Sequence, residues 1–130
     1  MSDTGYVDTF ARDNLPPRDQ WPDCSCELPE FRFPARLNCA AVLLDDRVAR
    51  GHGDRVAIRT PDGPCSYRQL LEHANRIANV LVEDMGLVPG NRVLLPSSNG
   101  LMMAACMFAI WKAGGIPVPT MALLRARELA

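Results

Sequence analysis

From Leu37 onward, apolar residues recur with the period of a helix. Leu37, Ala41, Leu44 and Val48 stand at i, i+4, i+7 and i+11, the spacing that lines one helical face. Asn38 is placed to cap the start of this helix and Gly51 to end it. The pattern then changes to alternation. Arg55–Thr60 reads as a short strand, Pro61-Asp62-Gly63-Pro64 as a turn, and Cys65 with Tyr67 as a returning strand, together a hairpin. Ser66 and Gln69 have the spacing of a capping box at the head of a long helix. Its apolar residues are Leu70, Leu71, Ala74, Ile77, Ala78, Leu81, Val82 and Met85. They fall in one arc of about 140°, wide enough to face a core. Arg68, Glu72, Asn75, Arg76, Asn79 and Glu83 fill the opposite side, with Glu72 and Arg76 spaced as an i,i+4 ion pair. Gly86 is positioned to end the helix in the left-handed conformation.

Val88-Pro89-Gly90-Asn91 is a tight turn by composition. Arg92–Pro96 reads as a strand buried on both faces, as in a parallel sheet. Ser97, Ser98 and Asn99 are candidate caps for the next helix, about residues 100–113, which is apolar nearly all round. Gly114-Gly115 ends it, and Ile116-Pro117-Val118-Pro119 is a further strand, placed at an edge or strand end by its prolines. Leu124 to Ala130 reads as the opening turns of a helix with no stop signal after it. The alternation of helices and strands predicts an α/β fold with a mostly parallel sheet in strand–helix–strand–helix order. Residues 1–36 hold five of the eleven prolines, so they are expected to form an irregular Pro-rich arm. Trp21, Phe31 and Phe33 are its expected anchors on the body, residues 37–130.

Composition narrows the function classes. The chain has 130 residues, 48% hydrophobic and 22% charged, with a net charge of −1. That balance favours neither nucleic acid nor an anionic membrane as a partner. The longest apolar run, Leu101 to Trp111, is 11 residues, against the roughly 20 a membrane span needs. Five scattered cysteines and a polar N-terminus lead to an expectation of reduced thiols and a cytoplasmic setting. The Met-rich helix 101–111 is expected to expose an apolar patch, open to recognition or self-association.

The candidate chemistry is sparse. Cys24-Ser25-Cys26 lacks the second ligand pair of a zinc site. His52 and His73 have no recognisable nucleophile beside them and read as solvent-facing. Cys39, Cys65 and Cys106 fall on apolar faces as small hydrophobes. Lys112, the only lysine, stands where a cation suits a helix C-terminus. No Gly-rich loop with Ser, Thr or Lys is present to cradle phosphates. Catalytic, cofactor-binding and metal residues are accordingly all assigned as none.

Several blocks nevertheless occur together in order: Asp54-Arg55-Val56-Ala57-Ile58, Ser66-Tyr67-Arg68-Gln69-Leu70, Ala74-Asn75-Arg76-Ile77-Ala78, Val88-Pro89-Gly90-Asn91-Arg92-Val93, Asn99, and Lys112-Ala113-Gly114-Gly115-Ile116-Pro117-Val118-Pro119. In these the chain resembles the N-terminal segment of the AMP-forming acyl-CoA synthetase, or adenylating enzyme, superfamily. Asp8–Pro17, Phe33–Asn38 and Thr120–Leu129 look most like the benzoate and 2-aminobenzoate CoA ligases. The resemblance implies an incomplete N-terminal part of the family's large domain, with 37–130 as a partial subdomain. It implies a parent reaction in which ATP activates a small aromatic carboxylic acid as an acyl-adenylate, which is then transferred to coenzyme A. ATP, Mg and coenzyme A are implied for the full-length family and none for this segment. The family's phosphate loop, hinge and catalytic lysine lie downstream of the region resembled, so the segment alone is expected to be inactive, from a truncated, split or misread gene. The alternative is a non-catalytic module that docks on a separately encoded remainder through helix 101–111 and residues 123–130.

Overall fold

The computed structural model describes residues 5–23 and 28–129. In chain order the main elements are α1 (Phe10–Asp13), β1 (Val56–Thr60), β2 (Gly63–Ser66), α2 (Tyr67–Asn79), β3 (Arg92–Pro96), α3 (Leu101–Lys112), β4 (Ile116–Thr120) and α4 (Ala126–Leu129). Between α1 and β1 runs a helical stretch, 39–52, widened into π-turns over Ala41–Asp45 and Val48–His52. A third π-turn, Val80–Asp84, carries α2 onward. The α/β class and the strand–helix–strand–helix order agree with the sequence reading.

Local chemistry sets most of these boundaries. The Asn38 Oδ1 accepts from the Ala41 N–H at 3.2 Å, capping the 39–52 stretch. Gly51, at φ 83°, leaves the helical region as expected near its end. The Ser66 hydroxyl accepts from the Gln69 N–H at 3.2 Å, and the Gln69 side chain accepts from the Ser66 N–H at 2.9 Å. Both halves of the capping box therefore start α2. Gly86 (φ 65°) and Gly114 (φ 79°) close α2 and α3 in the left-handed conformation.

The strands form two pairs. β1 and β2 are an antiparallel hairpin that turns between Thr60 and Gly63. β3 and β4 are parallel, with Arg92 opposite Ile116 and Leu94 opposite Val118. The core lies between the helices and the inner face of the second pair. Leu44, Leu70, Ala74, Ala78, Leu81, Ala105, Ala109 and Ile110 are buried, and Ile58, Val93, Leu95 and Phe108 pack against them. Ala74 and Ala78 on α2, with Ala105 and Ala109 on α3, give each helix a pair of small buried residues one turn apart. Such stripes let two helix backbones approach closely. Leu44 and Ile110 are the largest fully buried side chains, each worth about 1.5–3 kcal/mol of hydrophobic transfer.

Several expectations are corrected. β3 is covered on one face only: Val93 and Leu95 pack inward, while Leu94 stays 46% exposed. The arm crosses that face at its Arg92 end, where Phe10 of α1 lies against the guanidinium. Gly100, with no side-chain cap, precedes α3, because the Ser97 hydroxyl donates instead to the Ser98 carbonyl. α3 is less open than expected. Ala105, Ala109 and Ile110 are buried against α2, and Met102 is its exposed large residue. The α2 stripe ends early, leaving Val82 and Met85 exposed. Arg76 lies 3.1 Å from the His73 Nδ1 instead of pairing with Glu72, so neither that ion pair nor a free solvent-facing His73 is formed. His52 is likewise half-buried, and Cys39 is exposed instead of lying on an apolar face.

The arm is not wholly irregular, since α1 and two 3-10 turns, Arg18–Gln20 and Pro29–Phe31, occur within it. Two of its expected aromatic anchors do not hold it. Trp21 and Phe33 are exposed, and the Trp21 indole donates within the arm to the Pro16 carbonyl at 2.7 Å. The Cys24-Ser25-Cys26 sequence lies outside the described residues, as does the side chain of Phe31.

Candidate functional site

The anchor of the arm is Asp8. The Val7 and Asp8 N–H groups both donate to the Pro89 carbonyl at 2.9 Å. The Asp8 carboxylate accepts from the Asn91 amide at 2.8 Å and from the Arg92 guanidinium. Phe10 completes the grip, with the Arg92 guanidinium 4.7 Å from its ring centroid. The Phe10 N–H, first, and then the Asn91 amide and Arg92 hold the Asp8 carboxyl below the usual carboxylate range. Only glycine fits the turn it grips. A Cβ on Gly90, already at φ 97°, would stand 2.0 Å from the Asp8 carbonyl oxygen.

At the C-terminal end of α3, Lys112 Nζ reaches Asp45 Oδ1 at 2.5 Å. Asn38 Nδ2 donates to the Trp111 and Lys112 carbonyls, both at 3.2 Å. The lysine thus sits at the helix terminus as expected, with a carboxylate partner that the sequence reading missed. A cleft of about 570 Å³ opens beside this cluster, lined by Tyr6, Arg36, Asn38, Pro89 and Lys112 among others.

The opposite end of the β3–α3–β4 unit is where open α/β sheets bind ligands, beyond the carboxyl ends of the strands. Here Ser97, Ser98, Asn99, Thr120 and Met121 line a cleft of about 420 Å³. The Thr120 hydroxyl oxygen is buried with no hydrogen-bond partner. A second cleft of about 410 Å³, lined by Arg59, Thr60, Asn99 and Gly100, adjoins the start of α3. These clefts supply hydroxyls, an amide and one guanidinium. They contain no carboxylate, imidazole or thiol to move a proton or attack a carbonyl.

The described residues do not fit ATP. Its triphosphate needs a cradle of backbone N–H groups with a lysine nearby. Lys112 is at the far end of α3 and engaged by Asp45. Burial pushes the Cys65 and Cys106 thiols upward in pKa, which keeps them protonated and poorly nucleophilic. Among the described residues no three His, Cys, Asp or Glu side chains gather as a metal site, and no helix is long and apolar enough to cross a membrane.

A parallel strand pair joined by a helix, with clefts beyond the strands' carboxyl ends, is a βαβ unit of an α/β fold. More narrowly, the chain belongs to the AMP-binding enzyme family, whose model matches residues 45–130. It is 41% identical over 86 residues to a salicyl-AMP ligase / salicyl-S-ArCP synthetase of Mycobacterium tuberculosis, covering 62% of this chain and 15% of that protein. It is 36% identical over 102 residues to an acetyl-coenzyme A synthetase of Mycobacterium bovis, covering 70% of this chain and 16% of that protein. Among solved structures it is similar to the anthranilate CoA ligase AuaEII in complex with anthranoyl-AMP, with TM-score 0.66, 28% identity, and coverage of 75% of this chain and 18% of that one. ATP-bound MatB from Rhodopseudomonas palustris gives TM-score 0.64 at 32% identity, covering 71% and 18%. The chain thus spans about 15% of the length of these curated relatives.

Proposed function

We propose that this chain provides the opening strands and helices of the large domain of an AMP-forming ligase acting on a small aromatic carboxylic acid. The arm, 1–36, straps the partial subdomain, 37–130. In the parent reaction the acid's carboxylate attacks the α-phosphorus of ATP, giving the acyl-adenylate and releasing pyrophosphate. The sulfur of a thiol, coenzyme A in our reading, then displaces AMP. ATP, Mg and coenzyme A are handled by residues other than those described here, and the chain alone does not catalyse either step. Its role is to set the register of β3 and β4 and the packing of α2 on α3. A cytoplasmic setting, with reduced thiols, accompanies this reading.

The observation that supports this most directly is the family match over residues 45–130, combined with a lysine committed to Asp45. The aromatic assignment leans on the salicylate- and anthranilate-named relatives. The test is ATP–pyrophosphate exchange with benzoate, salicylate and 2-aminobenzoate. The chain alone should give background exchange. A chimera in which this chain replaces the matched segment of the anthranilate ligase should give acid-dependent exchange. Exchange by the chain alone, or an inactive folded chimera, would refute the reading.

A further inference from the structure

Asn99-Gly100 lies between β3 and α3, and of the six asparagines Asn99 is the one followed by glycine. Asparagine is thermolabile, because the backbone nitrogen of the next residue can attack its side-chain carbonyl carbon. The other five are restrained. The amide groups of Asn14, Asn38 and Asn91 donate to the Phe10 carbonyl, to the Trp111 and Lys112 carbonyls, and to Asp8. Asn75 and Asn79 lie in α2, where the following N–H groups are committed to helical hydrogen bonds. At Asn99 these restraints are missing. Asn99 and Gly100 are exposed and outside regular structure. Among the described residues, no hydrogen bond holds the Asn99 side-chain amide or the Gly100 N–H. Nor does the fold require a glycine at position 100. Gly90 and Gly114 close turns at positive φ, whereas Gly100 is extended, with φ 179° and ψ −176°. A Cβ on it would meet no atom within 4 Å. What the missing side chain does is leave the Gly100 nitrogen unshielded and its backbone free to turn.

We propose that Asn99 is a site of spontaneous covalent modification in the folded chain, converted through a succinimide to aspartate and isoaspartate. The Gly100 nitrogen gives its proton to solvent hydroxide and attacks Asn99 Cγ. The N–Cγ bond forms, the Cγ–Nδ2 bond breaks, and Nδ2 leaves as ammonia after taking a proton from solvent. Water then opens the ring. Cleavage of the new N–Cγ bond gives aspartate and restores the original main chain. Cleavage at the Asn99 backbone carbonyl gives isoaspartate, with the chain running through the former side chain. The sum is amide plus water giving acid plus ammonia, with no oxidant or reductant. The product matters because of where it stands. Asn99 lines both clefts beyond the strands' carboxyl ends, with Arg59 in one and Ser97, Ser98 and Thr120 in the other. A carboxylate thus enters clefts otherwise supplied with hydroxyls and one guanidinium. It also lies just ahead of α3, which has no side-chain cap and whose N-terminus favours negative charge. Isoaspartate further adds a methylene to the main chain entering the Gly100 carbonyl, which accepts from the Ala104 N–H at 3.2 Å. The inference is independent of the proposed function.

The test incubates the full folded chain at neutral pH and follows it by mass spectrometry after trypsin, with the unincubated chain as the zero point. The tryptic peptide 93–112 contains Asn99 as its only side-chain amide, so the mass gain of one deamidation in it reports this site directly. That gain should appear in this peptide before any other asparagine peptide, and both aspartate and isoaspartate should be found at position 99. Gly100→Ala, for which the fold has room, should slow the gain by about tenfold or more. Asn99→Gln, which has to close a larger ring, should show none over the same period. Persistence of unmodified Asn99, or conversion only after the chain is unfolded in urea, would overturn the proposal. So would aspartate without isoaspartate, which would mean direct hydrolysis, an earlier gain at another asparagine, or an unchanged rate in Gly100→Ala.

Discussion

Asn38 and Trp111 lie 73 positions apart and are joined by one side-chain amide. The Asn38 Nδ2 donates to the Trp111 carbonyl at 3.2 Å while its Oδ1 accepts from the Ala41 N–H. One residue thus caps the start of the 39–52 stretch and the end of α3. Asn38→Ala should remove both caps and destabilise the chain by about 1–2 kcal/mol. Asn38→Asp should recover only part of that loss, because it keeps the acceptor and loses the donor. Thermal unfolding of the three proteins checks the order. Equal stability of Asn38→Ala and wild type would contradict it.

Lys112 and Asp45 reinforce the same junction. Both side chains are partly exposed, at 26% and 37%, so their coupling should be about 1 kcal/mol in a double-mutant cycle. Lys112→Met alone should destabilise more than Asp45→Asn alone. It strips the partner from Oδ1 of a carboxylate whose Oδ2 is already buried and unpartnered, whereas the lysine ammonium can turn to water. Denaturant unfolding of both single variants and the double variant measures each term.

Gly90→Ala should release the arm. The added carbon would collide with the Asp8 backbone oxygen, and the positive φ is itself unfavourable for alanine. We expect trypsin to cut after Arg12 several-fold faster, with the far-UV spectrum of the body preserved. Unchanged cleavage would show that the arm does not depend on this turn.

The docking of the arm should also respond to acid. Because Asp8 is held below its ordinary pKa, the folded state favours the ionised form. Docking is complete above the unfolded value of about 3.9, and is lost as pH falls through the lower native value. The NMR resonance of the Asn91 side-chain amide should titrate below about pH 4. The titration should vanish in Asp8→Ala.

Alkylation should rank the described thiols. Cys39 is exposed, Cys106 half-buried and Cys65 buried, and burial raises the pKa of the last two. Iodoacetamide with mass spectrometry should therefore modify Cys39 first and Cys65 last in the native chain.

Features governed by neighbours in sequence were legible from the sequence. The Ser66–Gln69 capping box, the left-handed Gly86 and Gly114, and the hairpin turning at Pro61-Asp62 all follow from residues within a few positions. Contacts across the chain were not. Nothing within a helical turn of Lys112 signals Asp45, and nothing beside Asp8 signals Arg92, 84 positions away. Burial was misjudged where periodicity outran the available cover. Leu94 sits in an apolar strand but on the face opposite Val93 and Leu95, and Met85 continues an apolar stripe past its last buried residue, Leu81. The candidate clefts were likewise invisible, since Thr60 and Asn99 meet only once the hairpin packs beside α3.

The prolines of β4 also govern how copies of this chain could stack. A two-stranded sheet with two competent edges is a repeating unit, because each added copy presents a fresh edge to the next. Pro117 and Pro119 take the donors from one edge of the β3–β4 pair, leaving that sheet one edge with donors, those of Arg92 and Leu94. Pairing of copies through that edge alone closes at two instead of propagating into a filament.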